Sequence, residues 1–238
     1  MKSLQAVLID MGGVLLRFGT SQGLPSGKSD FRGRQALLKR LHGRRRIRVE
    51  TLESLLFEPW RHEYELRYQR GFEASWDPHL SRVRKRVSSH QHSLTLLRAW
   101  FAPFGDKVRP FDGAGEALAE LRGRGLKLAL ISNVPLPGKL YEEILERHGL
   151  GEYFDSLHFS YDEGHRKPSP FMLRVALRKL GVPADRAVMV GDRKNSDVAA
   201  GRAAGVRTVW VQSEYQDGPV ADARVHSIAG LPRAIERL

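Results

Sequence analysis

Six polar residues, far apart in the chain, each stand just beyond a short apolar run. Asp10 follows LQAVLI, and Ser132 and Asn133 close LALIS-Asn. Lys167 lies with His165 and Arg166 in the loop after Leu157–Phe159. Asp192 follows AVMV-Gly, with Asp197 five residues on. If the runs are neighbouring strands of one parallel sheet, these residues share an edge, because ligands of open parallel sheets bind beyond the carboxyl ends of the strands. Two or three carboxylates, a hydroxyl and a fixed cation would then meet. Asp10 with Asp192 suits a hard cation held through oxygen, Mg²⁺ above all, which takes one or two carboxylates and accepts substrate phosphate oxygens. Lys167 would neutralise an anion brought up to a carboxylate that otherwise repels it. Ser132 and the backbone N–H groups after it, near a helix start, suit a phosphate oxygen. With charge drawn off phosphorus, a carboxylate becomes a usable nucleophile.

The elements that must position these residues follow from the pattern. Leu4–Ile9 reads as a buried strand entering a glycine turn. Thr20–Ser29 is turn-rich and reads as a linker. From Phe31 to Phe101 the periodicity is helical, with one long helix expected from Leu80 through Val83, Val87, Leu94 and Leu97 to Phe101; Pro59, Pro78 and Pro103 mark breaks or first turns. After Pro110 helices and strands alternate: helix 114–122, strand 126–131, helix 139–148, strand 157–159, helix 170–180, strand 187–190, helix 197–204, strand 208–211, and an edge strand at 225–228. Such alternation implies right-handed βαβ units. The expected fold is α/β: a Rossmann-like, mostly parallel sheet core with a helical domain inserted after the first strand. The core covers 1–18 and 105–238, and the insert covers 19–104.

Composition agrees. The chain has 238 residues, 41% hydrophobic and 28% charged, which supports a covered core and excludes disorder or a collagen-like fibre. No apolar run reaches the length of a membrane span. The N-terminal segment meets Asp10 without a cleavable apolar region, and there is no Cys, so the expected compartment is the cytoplasm. Of the net charge of +12, the stretch Leu16–Asp106 supplies most, with 18 Lys/Arg against 9 Asp/Glu. Such a surface concentrates anions without choosing among them.

These segments resemble the haloacid dehalogenase-like (HAD) superfamily of hydrolases. Asp10-Met11-Gly12-Gly13-Val14 resembles its first motif, LALIS ending at Ser132 its second, Arg166-Lys167-Pro168-Ser169-Pro170 its third, and Gly191-Asp192 with Asp197 its fourth. The resemblance covers about 150 residues of core, and the insert matches only in place and helical character, as a cap domain. It implies Mg²⁺-dependent hydrolysis of a small phosphorylated metabolite. Asp10 would attack phosphorus to form an aspartyl-phosphate. Ser132, with Asn133 beside it, would bind the phosphoryl group, and Lys167 would steady the charge. Asp10, Asp192 and the Gly12 carbonyl would bind the metal, with Asp197 supporting it.

One position departs from the pattern. Phosphatases of the superfamily carry a second Asp two residues after the nucleophile, which protonates the leaving alkoxide and then activates water. Here that residue is Gly12, which can do neither. General acid–base help is worth about 10²–10⁴ in rate. Dehalogenases of the superfamily also lack that Asp but carry an aromatic residue there and need no metal, which neither Gly12 nor the Lys167/Asp192 set favours. Glu63, Glu65, His62 and His79 of the insert are candidate replacement acids.

Blander readings compete. Asp197 could cap the helix after it, and His165 and Arg166 read as solvated loop residues. The cluster Trp60, His62, Tyr64, Tyr68, Phe72 and Trp76 reads as core of the insert, with one or two members facing substrate. The run Arg44-Arg45-Arg46-Ile47-Arg48 invites nucleic acid, yet such runs are usually solvated faces. The alternatives to catalysis are a fold that binds a phosphorylated ligand or partner with weak turnover, and a basic insert that binds nucleic acid. Substrate identity and oligomeric state have no readable signal.

Overall fold

The structure is a computed structural model that describes residues 3–20, 23–41, 47–214 and 216–238. Among these, six strands form one parallel sheet: β1 (Ala6–Ile9), β4 (Lys127–Ser132), β5 (Ser156–Phe159), β6 (Ala187–Gly191), β7 (Arg207–Val211) and β8 (Ala223–Val225). They lie in the order β5-β4-β1-β6-β7-β8. The central strands read as unbroken apolar runs because both sheet faces are covered. Side chains alternate between two cores. Val7, Ile9, Leu128 and Val188 join one; Ala6, Leu8, Ala129 and Met189 join the other, against the helix Phe171–Leu180. The sheet, with helices packed on it, is the expected α/β Rossmann-like architecture.

Between β1 and the rest stand β2 (Leu16–Arg17), α1 (Gly27–Arg40), α2 (Val49–Leu52), α3 (Glu58–Tyr68), α4 (Asp77–Val87), α5 (Ser93–Gly105) and β3 (Arg109–Pro110). β2 and β3 pair antiparallel, Leu16 opposite Pro110 and Arg17 opposite Arg109, so the chain leaves and re-enters the sheet region at one point. The sequence pattern gave no hint of these two-residue strands.

Three local expectations are corrected. The long helix 80–101 is two helices. Ser88 adopts the left-handed conformation (φ 56°), and the Ser89 N–H returns to the Arg84 carbonyl at 3.0 Å, which closes α4. Val87 and Leu94 are seven residues apart, so the heptad phase runs on across the break and hides it. Pro103 lies inside α5 rather than ending it. Pro59 and Pro78 sit in first turns as expected, and the turn before Pro59, Glu53–Phe57, widens to π geometry. Such widening suits a missing N–H at Pro59. The edge strand is Ala223–Val225, and Ile228 belongs to a 3₁₀ turn instead.

The aromatic cluster of the insert also divides. Trp60, Tyr64 and Trp76 are buried, with Trp60 stacked on Trp76 at 3.9 Å between ring centres and on Tyr64 at 4.9 Å. His62, Tyr68 and Phe72 are exposed. Arg44–Arg46 of the basic run lie outside the described residues, while Ile47 packs on the core. No helix among the described residues is long and apolar enough to cross a membrane.

Candidate active site

The register of the sheet assembles the site. Ile9 pairs with Leu130 on one side and with Val190 on the other, so the residues just past β1, β4 and β6 emerge together. The Asp10 N–H is held by the Val190 carbonyl at 2.9 Å. Asp192 is fixed through its own carbonyl, which accepts from Trp210 Nε1 at 2.9 Å and Ser213 Oγ at 2.6 Å. Asp197 comes from the helical turn after β6, where its Oδ2 accepts from the Arg193 N–H at 2.9 Å. Asp197 is therefore not the N-cap of the helix after it: it lies inside the turn Lys194–Val198 and binds back to the residue that precedes that turn.

Asp10, Asp192 and Asp197 each offer a carboxylate oxygen, and these lie within 4.8 Å of one another. Lys167 Nζ reaches into the group, 2.7 Å from Asp10 Oδ1, 2.7 Å from Asp197 Oδ1 and 2.7 Å from the Ile131 carbonyl. One cation balances three buried carboxylates only in part. Asp192 Oδ1 is buried and, among the described residues, has no hydrogen-bond partner. An orphaned carboxylate oxygen between two more carboxylates fits a divalent, oxygen-seeking cation. The titration behaviour agrees. Burial raises the Asp10 carboxyl above its ordinary value, partly offset by Lys167 and reinforced by Asp197. Burial, then Asp10 and Asp197, push Asp192 up to about 8. Burial works against the Lys167 ammonium, but Asp10 and Asp197 outweigh it and raise its pKa.

Two glycines make the approach possible. A Cβ on Gly13, whose φ is +75°, would stand 2.3 Å from Asp192 Oδ2, and a Cβ on Gly191 would stand 2.2 Å from Asp197 Cβ. Gly12 is different: a Cβ there would meet the Phe18 ring at 3.7 Å, ordinary contact, so the missing side chain is not a steric requirement. Asn133 is tied to the backbone of Lys167. Its side chain donates to the Lys167 carbonyl at 2.9 Å and accepts from the Lys167 N–H at 2.8 Å, bracing that loop. Ser132, the last residue of β4, is buried and lines the same cavity.

That cavity, about 1050 Å³, has Asp10, Gly12, Ser132, Asn133, Lys167, Asp192 and Asp197 on its floor. Its far wall comes from the helical insert: Tyr64, Tyr68 and the turn Gln69–Phe72. All the expected site residues therefore converge. Glu63, Glu65, His62 and His79 do not line the cavity; Glu63 is engaged with Arg67 and His79 instead.

Arg166 corrects the expectation of a solvated loop residue: it is only 8% exposed. Its Nη1 donates to Glu73 Oε1, which also accepts from Ser160 Oγ. Its guanidinium lies 4.3 Å from the Tyr68 ring centre and 5.7 Å from that of Tyr64. Its N–H bonds the Gly71 carbonyl at 3.0 Å, and Phe72 bridges to half-buried His165. The insert thus docks on the loop that carries Lys167. Sequence reasoning missed the part that Glu73 and Arg166 play in holding the insert on this loop. Arg166 adjoined a motif, but Glu73 had no local signal, because its partner is 93 positions away.

The family model of haloacid dehalogenase-like hydrolases matches residues 4–205. The chain is 32% identical over 241 aligned residues to a phosphoserine phosphatase of Thermus thermophilus, covering 87% of this chain and 88% of that protein. It is 38% identical to a phosphoglycolate phosphatase of Neisseria meningitidis over 46% of each chain. Among solved structures, a HAD phosphatase from Thermococcus onnurineus superposes with a TM-score of 0.63 at 22% identity, over 97% of both chains. A 2-haloacid dehalogenase from Pseudomonas syringae gives 0.62 at 22% identity, over 98% of this chain and 99% of that one. These two likenesses establish the fold. The chain belongs to the haloacid dehalogenase-like hydrolase family and is a hydrolase.

Proposed function

We propose that the protein is a Mg²⁺-dependent phosphomonoesterase of a small phosphorylated metabolite, working through an aspartyl-phosphate on Asp10, with residues 19–104 as a cap over the site. The observation that carries this reading is the clamp of Lys167 on Asp10 inside the three-carboxylate cluster on the cavity floor. The curated relatives named above are phosphatases, which supports the same class.

In the proposed reaction Lys167 holds Asp10 Oδ1 and offsets part of the penalty that burial puts on its ionised form. An Asp10 oxygen attacks phosphorus, the bond to the leaving alcohol's oxygen breaks, and the phosphoryl group is transferred to Asp10. Ser132 and the adjoining N–H groups hold the phosphoryl oxygens. Water then attacks phosphorus, releasing phosphate and restoring the carboxylate. Asp10, Asp192 and the Gly12 carbonyl would hold Mg²⁺, with Asp197 in support, and the ion supplies charge neutralisation that lets two anions meet. Because Gly12 has no side chain, the alkoxide takes its proton from water, and water attacks without a base. Esters with good leaving groups lose least from that gap.

Gly12 also supports a second reading, a protein that binds a phosphorylated ligand or partner with weak turnover. Both are tested by Mg²⁺-dependent release of p-nitrophenol from its phosphate, with Asp10→Asn as control. Turnover lost in the mutant supports the hydrolase. No turnover in the wild type, with calorimetric Mg²⁺ binding intact, supports the binding protein.

A further inference from the structure

We infer that Arg166 and Tyr141 form a subsite for a carboxylate on the leaving alcohol, so that the preferred substrates are phosphorylated hydroxy or amino acids. This deepens the phosphatase reading and rests on it.

The subsite lies in the same cavity as Asp10 but on the wall shared with the insert. Arg166 is buried yet lines that cavity, which is a costly place for a guanidinium. It is held from two sides, by the Glu73 carboxylate at Nη1 and by the Tyr68 ring against its face. Glu73 is itself anchored through Ser160, whose Oγ accepts from the Val134 N–H at 2.8 Å, just beyond β4. A guanidinium fixed in this way, with Nη1 committed to Glu73, is preorganised to offer its remaining N–H groups to a carboxylate.

The Tyr141 hydroxyl is the second donor. Tyr141 is 1% exposed, lines the cavity, and its hydroxyl has no hydrogen-bond partner among the described residues. Three rings pin it: Phe18, Phe101 and Phe159, with centres 6.1, 5.3 and 6.0 Å away. The last of these rings, Phe159, precedes Ser160, the residue that holds Glu73 against Arg166. A buried hydroxyl without a partner is an unmet demand that an acceptor on a ligand would satisfy.

Charge decides which anion. Arg166 is matched by Glu73, whose Oε2 is also without a partner among the described residues. Arg70, on the turn whose Gly71 carbonyl holds Arg166, adds one exposed positive charge at the cavity wall. The local balance of about one positive charge suits a carboxylate; a second phosphate would bring two negative charges against Glu73.

Two ester pairs differ in the carboxylate: O-phosphoserine against O-phosphoethanolamine, and 2-phosphoglycolate against ethyl phosphate. Wild-type kcat/KM is expected to favour the carboxylated ester by about 10- to 100-fold in at least one pair, the range of a hydrogen bond to a charged group. Tyr141→Phe should cut that ratio about tenfold, and Arg166→Lys, which keeps a cation beside Glu73, should remove most of it. The same esters titrated calorimetrically onto Asp10→Asn give the ratio as affinities without turnover. If no ester is hydrolysed, the phosphatase reading falls while the binding ratio still decides the subsite. Ratios within threefold of one in both pairs, by turnover or by binding, overturn the inference.

Discussion

Gly12→Asp restores the side chain that would serve as acid and base, and the structure says what the change costs. A Cβ at Gly12 meets the Phe18 ring at 3.7 and 3.8 Å, and the residue does not need a left-handed backbone. The steric penalty is therefore small, unlike at Gly13 next door. The electrostatic penalty is larger, since the new carboxylate joins Asp10, Asp192 and Asp197 with Lys167 as their buried cation. It should show as a lower thermal midpoint without Mg²⁺ and be recovered with it. The gain is in proton transfer, about 10²–10⁴ in kcat, or ~3–5 kcal/mol in the barrier. The assay is steady-state turnover of an aryl and an alkyl phosphate, wild type beside Gly12→Asp at saturating Mg²⁺. Both rates should rise, because both depend on water attack at phosphorus. The alkyl ester should gain more, because its leaving group also needs a proton. A folded variant with no gain on either ester refutes the argument that the missing acid limits the rate.

Gly13→Ala should do the opposite. Its Cβ would stand 2.3 Å from Asp192 Oδ2 at a φ of +75°, so about 1–3 kcal/mol of stability and most of the Mg²⁺ affinity should be lost, read by thermal melting and calorimetry. Lys167→Met leaves Asp10 and Asp197 buried without their cation; a loss of about 3–5 kcal/mol is expected from a broken buried pair, with activity down about 10²–10³-fold. Asp192 is raised to about 8 by burial and by Asp10 and Asp197. Between its unfolded and folded values the native state holds a proton that the unfolded state has released, so metal-free stability should fall as pH rises from about 4 towards 8. Mg²⁺ replaces that proton, so the Mg²⁺-induced rise in melting temperature should be larger at pH 8 than at pH 5; a rise independent of pH would count against Asp192 as a ligand.

Much of this architecture was legible because its signals are local. Buried parallel strands announce themselves as apolar runs, and the polar residue after each run is where the topology puts a ligand. Asp10, Ser132, Lys167 and Asp192 stand out in that way, and the sheet register brings them together. What was not legible depends on distant partners or on compensating periodicity. Arg166 looks like a surface loop residue until Glu73 is placed beside it. The break at Ser88 is invisible because Val87 and Leu94 keep phase across it. The pairing of Leu16–Arg17 with Arg109–Pro110 involves too few residues to show a strand period. Glu63, Glu65, His62 and His79 have the right chemistry but no signal of place, and the cavity wall is built from other residues of that block, among them Tyr64, Tyr68 and Phe72.

The account turns on Asp10 becoming covalently phosphorylated. With no side chain at Gly12 to activate water, the phosphorylated state should build up during turnover of a good leaving group. Wild-type protein, Mg²⁺ and p-nitrophenyl phosphate quenched in acid should therefore yield a phosphorylated peptide whose acyl phosphate maps to Asp10 and is absent from Asp10→Asn. Phosphate found on another residue, or p-nitrophenol released at the same rate by Asp10→Asn, would contradict it.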